Sequence, residues 1–156
     1  MRRWMRWIVA AAAVALAVVW IVGEALMPAT QQGPPAMPVL ATDGEAILRR
    51  ACYDCHSDQV EWPWYTHLPV ASLLVALDVR EGREKLNFSA WADMPVEKKR
   101  KKWDKAAEEI REAEMPPAQY VWLHRDARLS EADVALLEQA VPNGLNAPAA
   151  AGGAGE

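Results

Sequence analysis

Seventeen consecutive residues, Trp7 to Gly23, carry no charge, and that run sets the layout of the chain around it. As a helix it is about 25 Å long, close to the ~30 Å hydrocarbon core of a bilayer. Arg2, Arg3 and Arg6 precede it, and a basic leading side stays in the cytoplasm. Trp4, Trp7 and Trp20 lie near its two ends, where indole rings favour the headgroup layer. Ala25, Leu26 and Met27 can extend the helix, with Glu24 near the far interface. A cleaved secretory signal begins in the same way, but its core is usually about 7–15 residues and ends at a small-x-small site; no convincing one follows here. The expectation for residues 1–27 is an uncleaved anchor, single-pass in the cytoplasmic (inner) membrane. Its amino terminus is inside and the rest of the chain is in the periplasm.

Composition divides what remains. Residues 28–41 hold four prolines, two glutamines and a glycine and are expected to form an extended tether. At about 3 Å per residue it would hold a domain several tens of Å from the membrane. Residues 142–156 are rich in Pro, Gly and Ala with almost no large apolar side chain, and are expected to be a disordered tail. One domain, residues 42–141, lies between them.

The signals in that domain are helical. Thr42-Asp43-Gly44-Glu45 reads as a capping box opening a helix through Ile47, Leu48 and Ala51. Val70 to Leu86 follows Pro69 and spaces Leu73, Leu74, Leu77 and Leu86 as a helix does, weakened late by Gly82. Pro95 suits the first turn of a helix to about Glu114, with a stripe of Val96, Trp103, Ala107, Ile110 and Ala113. Ser130-Glu131-Ala132-Asp133 starts a last helix carrying Val134, Leu137 and Val141. No stretch alternates as a strand does, so the expected class is all-α.

The only two cysteines of the chain stand in Cys52-Tyr53-Asp54-Cys55-His56. This C-x-x-C-H order is the pattern of covalent haem attachment: two thiols add to the vinyl groups and the next imidazole becomes the proximal iron ligand. Three other readings compete. A thioredoxin-like motif needs alternating strands and helices, which are absent from the pattern. A zinc site would take Cys52, Cys55 and two of His56, His67 and His124, without the second tight ligand pair such sites show. A disulfide across so short a loop would stabilise little. One haem c with its iron is the expected cofactor, held by Cys52, Cys55 and His56.

Function then turns on the other face of the iron. Met115, in Met115-Pro116-Pro117 after the third helix, is the leading candidate for the distal ligand, since a thioether raises the potential and closes the coordination sphere. Met94, His67 and His124 are the alternatives. Met94 flanks a helix start, His67 lies in the aromatic loop Trp62-Pro63-Trp64-Tyr65-Thr66-His67, and His124 suits a turn. The aromatic residues, with Trp91, Trp103 and Trp122, offer flat surfaces for a haem or an ordinary core. Arg83, Trp91 and Tyr120 are candidates to meet haem propionates.

With these motifs the chain resembles the haem-binding domain family of c-type cytochromes found in bacterial exported proteins. The stretches that carry the resemblance are Cys52-Tyr53-Asp54-Cys55-His56-Ser57, Trp62-Pro63-Trp64-Tyr65 and Glu81 to Trp91 with its Asn87-Phe88-Ser89 block. Glu114-Met115-Pro116-Pro117, Tyr120, Leu123-His124 and Leu129-Ser130 continue it, in order, across nearly all of residues 42–141. The resemblance implies covalent haem through Cys52 and Cys55, His56 as proximal and Met115 as distal ligand. It also implies a small cytochrome c-like helical domain wrapped round the haem, similar to class I cytochromes c in motif order. Some members have histidine near the position of Asp78; this chain does not.

Residues 24–156 carry fourteen basic and twenty-one acidic side chains, a net charge of −7, which argues against nucleic acid as a partner. Lys98-Lys99-Arg100-Lys101-Lys102 is a local exception. It reads as a solvated helix face, with Glu97 four residues before Lys101, or as a docking patch for an acidic redox partner or anionic lipid. The expectation is a membrane-tethered monohaem cytochrome that transfers single electrons to and from redox partner proteins. It is not an enzyme and takes no small-molecule substrate. A haem sensor or small peroxidase-like enzyme with an open or labile distal site is the rival, and a haem-stabilised interaction module a third reading.

Overall fold

The computed structural model describes residues 2–30 and 42–146, and every regular element among them is helical. Seven α-helices follow in chain order: α1 Arg2–Leu26, α2 Thr42–Ala51, α3 Tyr53–His56, α4 Ala71–Lys85, α5 Val96–Arg111, α6 Ala118–Leu123 and α7 Glu131–Asn146. Short 3-10 turns at Trp64–His67, Phe88–Ala90 and Arg125–Ala127 join them. The all-α expectation therefore holds. Helix α1 is long and apolar enough to cross a membrane, with a mean hydropathy of 2.3 over its most apolar stretch. The tether from residue 31 to 41 and the tail from 147 onward lie outside the described residues.

The core forms where α2, α5 and α7 meet the segment after α4. Ile47, Leu48, Tyr53, Leu86, Phe88, Trp91, Trp103, Ala107 and Leu137 make one buried cluster, with Cys52, Ile110 and Leu136 packed against it. Thus Trp91 and Trp103 are core, whereas Trp64 and Trp122 are each 76% exposed. Arg50 ties the far end of the domain to α2: it donates to the carbonyls of Asp126 and Arg128 and pairs with Asp133 at 2.8 Å.

Several helix ends differ from the sequence expectation for identifiable reasons. Helix α2 includes Thr42, and the Glu45 carboxylate accepts from Arg49 at 2.8 and 3.0 Å. Helix α5 stops at Arg111 because Ala113 turns left-handed (φ 57°). The amides of Ala113 and Glu114 then donate to the carbonyls of Ile110 and Glu109, a Schellman closure made without glycine. Ser130 does cap α7: Asp133 N–H donates to its hydroxyl at 3.2 Å and the Asp133 carboxylate accepts from Ser130 N–H at 2.8 Å. Helix α7 then runs past Val141 and through Pro142 to Asn146, so residues 142–146 of the expected tail are helical. Proline removes a donor there, but its fixed φ is compatible with the helix.

Helix α4 departs most. Its leucines suggested the buried stripe, yet the residues it buries are Ser72, Ala76, Val79 and Gly82, while Leu74 and Leu77 are exposed. Small residues win because two backbones press on that face. A Cβ on Gly23 of α1 would meet the Leu73 amide nitrogen at 2.6 Å and the side chain of Ser72. A Cβ on Gly82 would meet the Cys55 carbonyl oxygen at 2.6 Å. Helix α4 is thus the spacer between α1 and the cysteine motif.

Candidate functional site

The motif helix α3 starts directly after Cys52, whose carbonyl accepts from His56 N–H at 2.9 Å. This single turn presents both thiols and the imidazole from one short stretch. The thiols are free and half-buried. Burial, reinforced by the neighbouring Cys55, pushes the Cys52 thiol up to about 12. Burial with Asp54 and Asp78 pushes Cys55 up to about 11, against the opposing effect of Arg83. Thiols held this high are protonated at neutral pH, unlike the low-pKa cysteines of thiol-disulfide enzymes.

His56 is the best-positioned side chain of the set. Its Nδ1 lies 2.9 Å from the Gly82 carbonyl and 3.0 Å from the Leu86 carbonyl. Carbonyls only accept, so Nδ1 carries the proton and Nε2 keeps its lone pair. No hydrogen-bond partner of Nε2 occurs among the described residues. Burial lowers the His56 pKa below its ordinary value, partly offset by the Leu86 and Gly82 carbonyls. The ring is therefore a neutral donor of fixed tautomer, with Phe88 edge-on at 6.4 Å and 71°. That is the chemistry of a metal-binding histidine with its outer hydrogen bonds in place.

Gly82 is essential to this arrangement in a way its sequence context did not reveal. It read as a helix weakness; in the fold it lets α4 touch the backbone of Cys55 while its own carbonyl accepts from His56.

Met115 is half-buried, after the Schellman turn of α5 and before α6, and its amide donates to Glu109 at 3.2 Å. Its neighbourhood is tied to the motif by a link the sequence did not suggest. The Tyr120 hydroxyl of α6 donates to Asp54, inside the cysteine motif, at 2.7 Å. The Tyr120 ring stacks on His124 at 4.3 Å and 12°, and His124 Nε2 shares a 2.7 Å hydrogen bond with the Tyr65 hydroxyl. Burial first, then Asp54, raises the Tyr120 pKa, so both phenols stay protonated. This network absorbs two of the site candidates: His124 is engaged with Tyr65, and Tyr120 with a carboxylate of the chain itself.

The remaining candidates are dispersed. His67 is exposed and pairs with Glu24 at 3.1 Å. Met94 is half-buried beside Trp91, its amide donating to the Trp91 carbonyl at 3.2 Å. Trp91 itself belongs to the core. Arg83 Nε donates to the Ser57 carbonyl at 2.8 Å and Nη1 lies 3.4 Å from Asp58, while Nη2 is buried without a partner among the described residues. No group of three or more His, Cys, Asp or Glu side chains placed to hold a metal ion occurs among the described residues.

The basic run on α5 is only partly a solvated face. Lys102 donates to the carbonyls of Glu84 and Lys85 at the end of α4, and Lys99 to Ala92. Cations there suit a helix carboxyl end. The Glu97–Lys101 pair suggested by spacing is not among the ion pairs of the described residues.

A family model described as a haem-binding domain matches residues 21–142. No curated protein and no solved structure matches the chain.

Proposed function

This chain belongs to the haem-binding domain family, and from that premise we propose that it is a membrane-anchored c-type cytochrome. It carries one covalent haem and passes single electrons on the periplasmic side of the cytoplasmic membrane. One observation carries the reading: His56 spends its only N–H on two backbone carbonyls beside two free thiols, leaving Nε2 as a lone-pair donor. The donor set fits the group. In this reading Cys52 and Cys55 form the thioethers, His56 is the proximal ligand and Met115 the distal one.

When bound, haem supplies a one-electron couple at its iron, which a His/Met ligand pair sets towards the high end of the range. The chain's own residues do the positioning. The Gly82 and Leu86 carbonyls orient the imidazole and raise its basicity. Phe88 packs against its edge and burial keeps it neutral. Arg83 Nη2, buried and unpartnered, is a donor suited to a carboxylate such as a propionate. With His56 and Met115 both serving as ligands, the iron would keep no open site for a substrate, so the proposed role is carrier rather than enzyme. The apolar run of α1 from Trp7, preceded by the three arginines of its first turns, serves as the anchor and leaves the domain outside.

Two measurements test this. In the haem-loaded chain, the weak far-red sulfur-to-iron band is expected in the oxidised spectrum and is lost in Met115→Ala, with a lower reduction potential. A high-spin wild-type spectrum without that band would instead favour the sensor or peroxidase-like reading. Denaturing mass spectrometry is expected to show haem mass on the wild-type chain and none on the Cys52→Ser/Cys55→Ser double variant. Wild type that releases its haem on denaturation would sink the covalent assignment.

A further inference from the structure

Helix α4 leaves Leu74 and Leu77 in solvent, and α1 indicates what covers them. Leu74 and Leu77, at i and i+3 on one face of the helix, are 56% and 47% exposed, and Val70, the residue just before it, is 47% exposed. Just before the helix, Leu68 is 45% and Trp64 76% exposed. From Leu68 to Leu77 the chain is uncharged, and charge resumes at Asp78.

The level of this patch follows from its seam with α1. Gly23, the last uncharged residue of the membrane run, packs on Ser72 and Leu73. Leu26 and Pro28, farther along, line a cleft with Leu77, Arg80 and Glu84. Farther still, the Ala29 carbonyl accepts from Arg83 at 3.0 Å. The contacts advance in step along both segments, so with α1 in a membrane α4 would begin at the level where α1 leaves the hydrocarbon and then rise away from it. The Glu24–His67 pair closes the same level from the other side. The family match begins at residue 21 and so takes in the whole seam.

We infer that the amino-terminal end of α4 and the turn before it, through Trp64, Leu68, Val70 and Leu74, are seated in the interfacial layer of the phospholipid bilayer beside α1. The domain is then docked on the membrane rather than swung out on its tether. The contact is apolar and aromatic, with no lysine or arginine between Trp64 and Asp78, so it does not depend on anionic lipid or on salt. The inference rests on α1 being retained as an anchor.

The test uses the full-length, haem-loaded chain in phosphatidylcholine vesicles. Cys52 and Cys55 are occupied by thioethers in that form, so one added cysteine is the only thiol that takes a nitroxide. Labels at Leu68→Cys and Leu74→Cys are expected to collide with oxygen more than with an aqueous nickel chelate. A label at Glu84→Cys, about 15 Å farther along α4, is expected to show the reverse. The difference is expected to persist in high salt and with anionic lipid added. Water-like behaviour at 68 and 74 in vesicle-bound protein overturns the inference, as does a signal lost in high salt. Spin–spin broadening at 68 and 74 would assign the patch to a second copy of the chain instead. A mature chain whose mass lacks α1 would overturn the inference together with the anchor reading, and the mass separates that failure from the others.

Discussion

Gly82→Ala is expected to destabilise the haem-loaded chain by about 3 kcal/mol, the upper part of the range for overpacking a tight contact. In an exposed helix the same change would stabilise by about 1 kcal/mol, because alanine is the better helix former. The sign reverses here because the new methyl would lie 2.6 Å from the Cys55 carbonyl oxygen and 3.2 Å from its carbon. Those are backbone atoms and have no rotamer to yield. Relief requires α3 and α4 to separate, and separation stretches the bond from His56 to the Gly82 carbonyl. Haem content per chain is therefore expected to fall along with the urea midpoint. An unchanged or raised midpoint would show that the two helices part at no cost, and that close packing is not what holds His56.

Phe88→Ala is expected to cost about 3–5 kcal/mol, as other buried aromatic truncations do. For a domain whose whole stability is of order 5–15 kcal/mol, that is a large fraction. Phe88 is 2% exposed and joins three partners: Tyr53 at 5.5 Å, Trp91 at 6.0 Å and the His56 ring at 6.4 Å. Truncation opens a cavity in the core and removes the wall of the imidazole in one step. Phe88→Leu refills most of the volume without the ring and is expected to lose less than half as much. Chemical denaturation of the three proteins, with the far-red band recorded alongside, checks both parts. Equal losses in the two variants would mean that the cavity is not the cause.

Much of the fold was legible because its signals are local. An uncharged run flanked by arginines, the apolar spacing of α5, the Ser130–Asp133 cap and the tight grouping of two thiols and a histidine each act within a few residues. Their physics does not wait on the rest of the chain. The misreadings share the opposite property. Leucines at helical spacing mark an apolar face, and on α4 that face is real; which face is buried depends on what packs there. The end of α5 came early because Ala113 accepts a left-handed conformation usually left to glycine, paid back by two hydrogen bonds that composition does not reveal.

The site divides in the same way. That one turn of chain carries Cys52, Cys55 and His56 together was evident from spacing alone. Asp54, Tyr65, Tyr120 and His124 were visible as residues but not as a network, because their partners lie 59 and 66 positions apart in sequence. Arg83, a candidate for propionates, holds Ser57 and Asp58 and keeps one nitrogen to spare, contacts that its sequence context did not reveal.

By itself, then, the sequence determined the grouping of two thiols and a histidine on one turn of chain and the helical class of the domain, both consequences of short-range order. Only the tertiary structure decided which nitrogen of His56 is left free, since that depends on two carbonyls contributed by another helix and its exit. It also decided that Gly23 and Gly82 are contact points. A glycine's worth is set by the backbone that approaches it, and that backbone arrives only on folding.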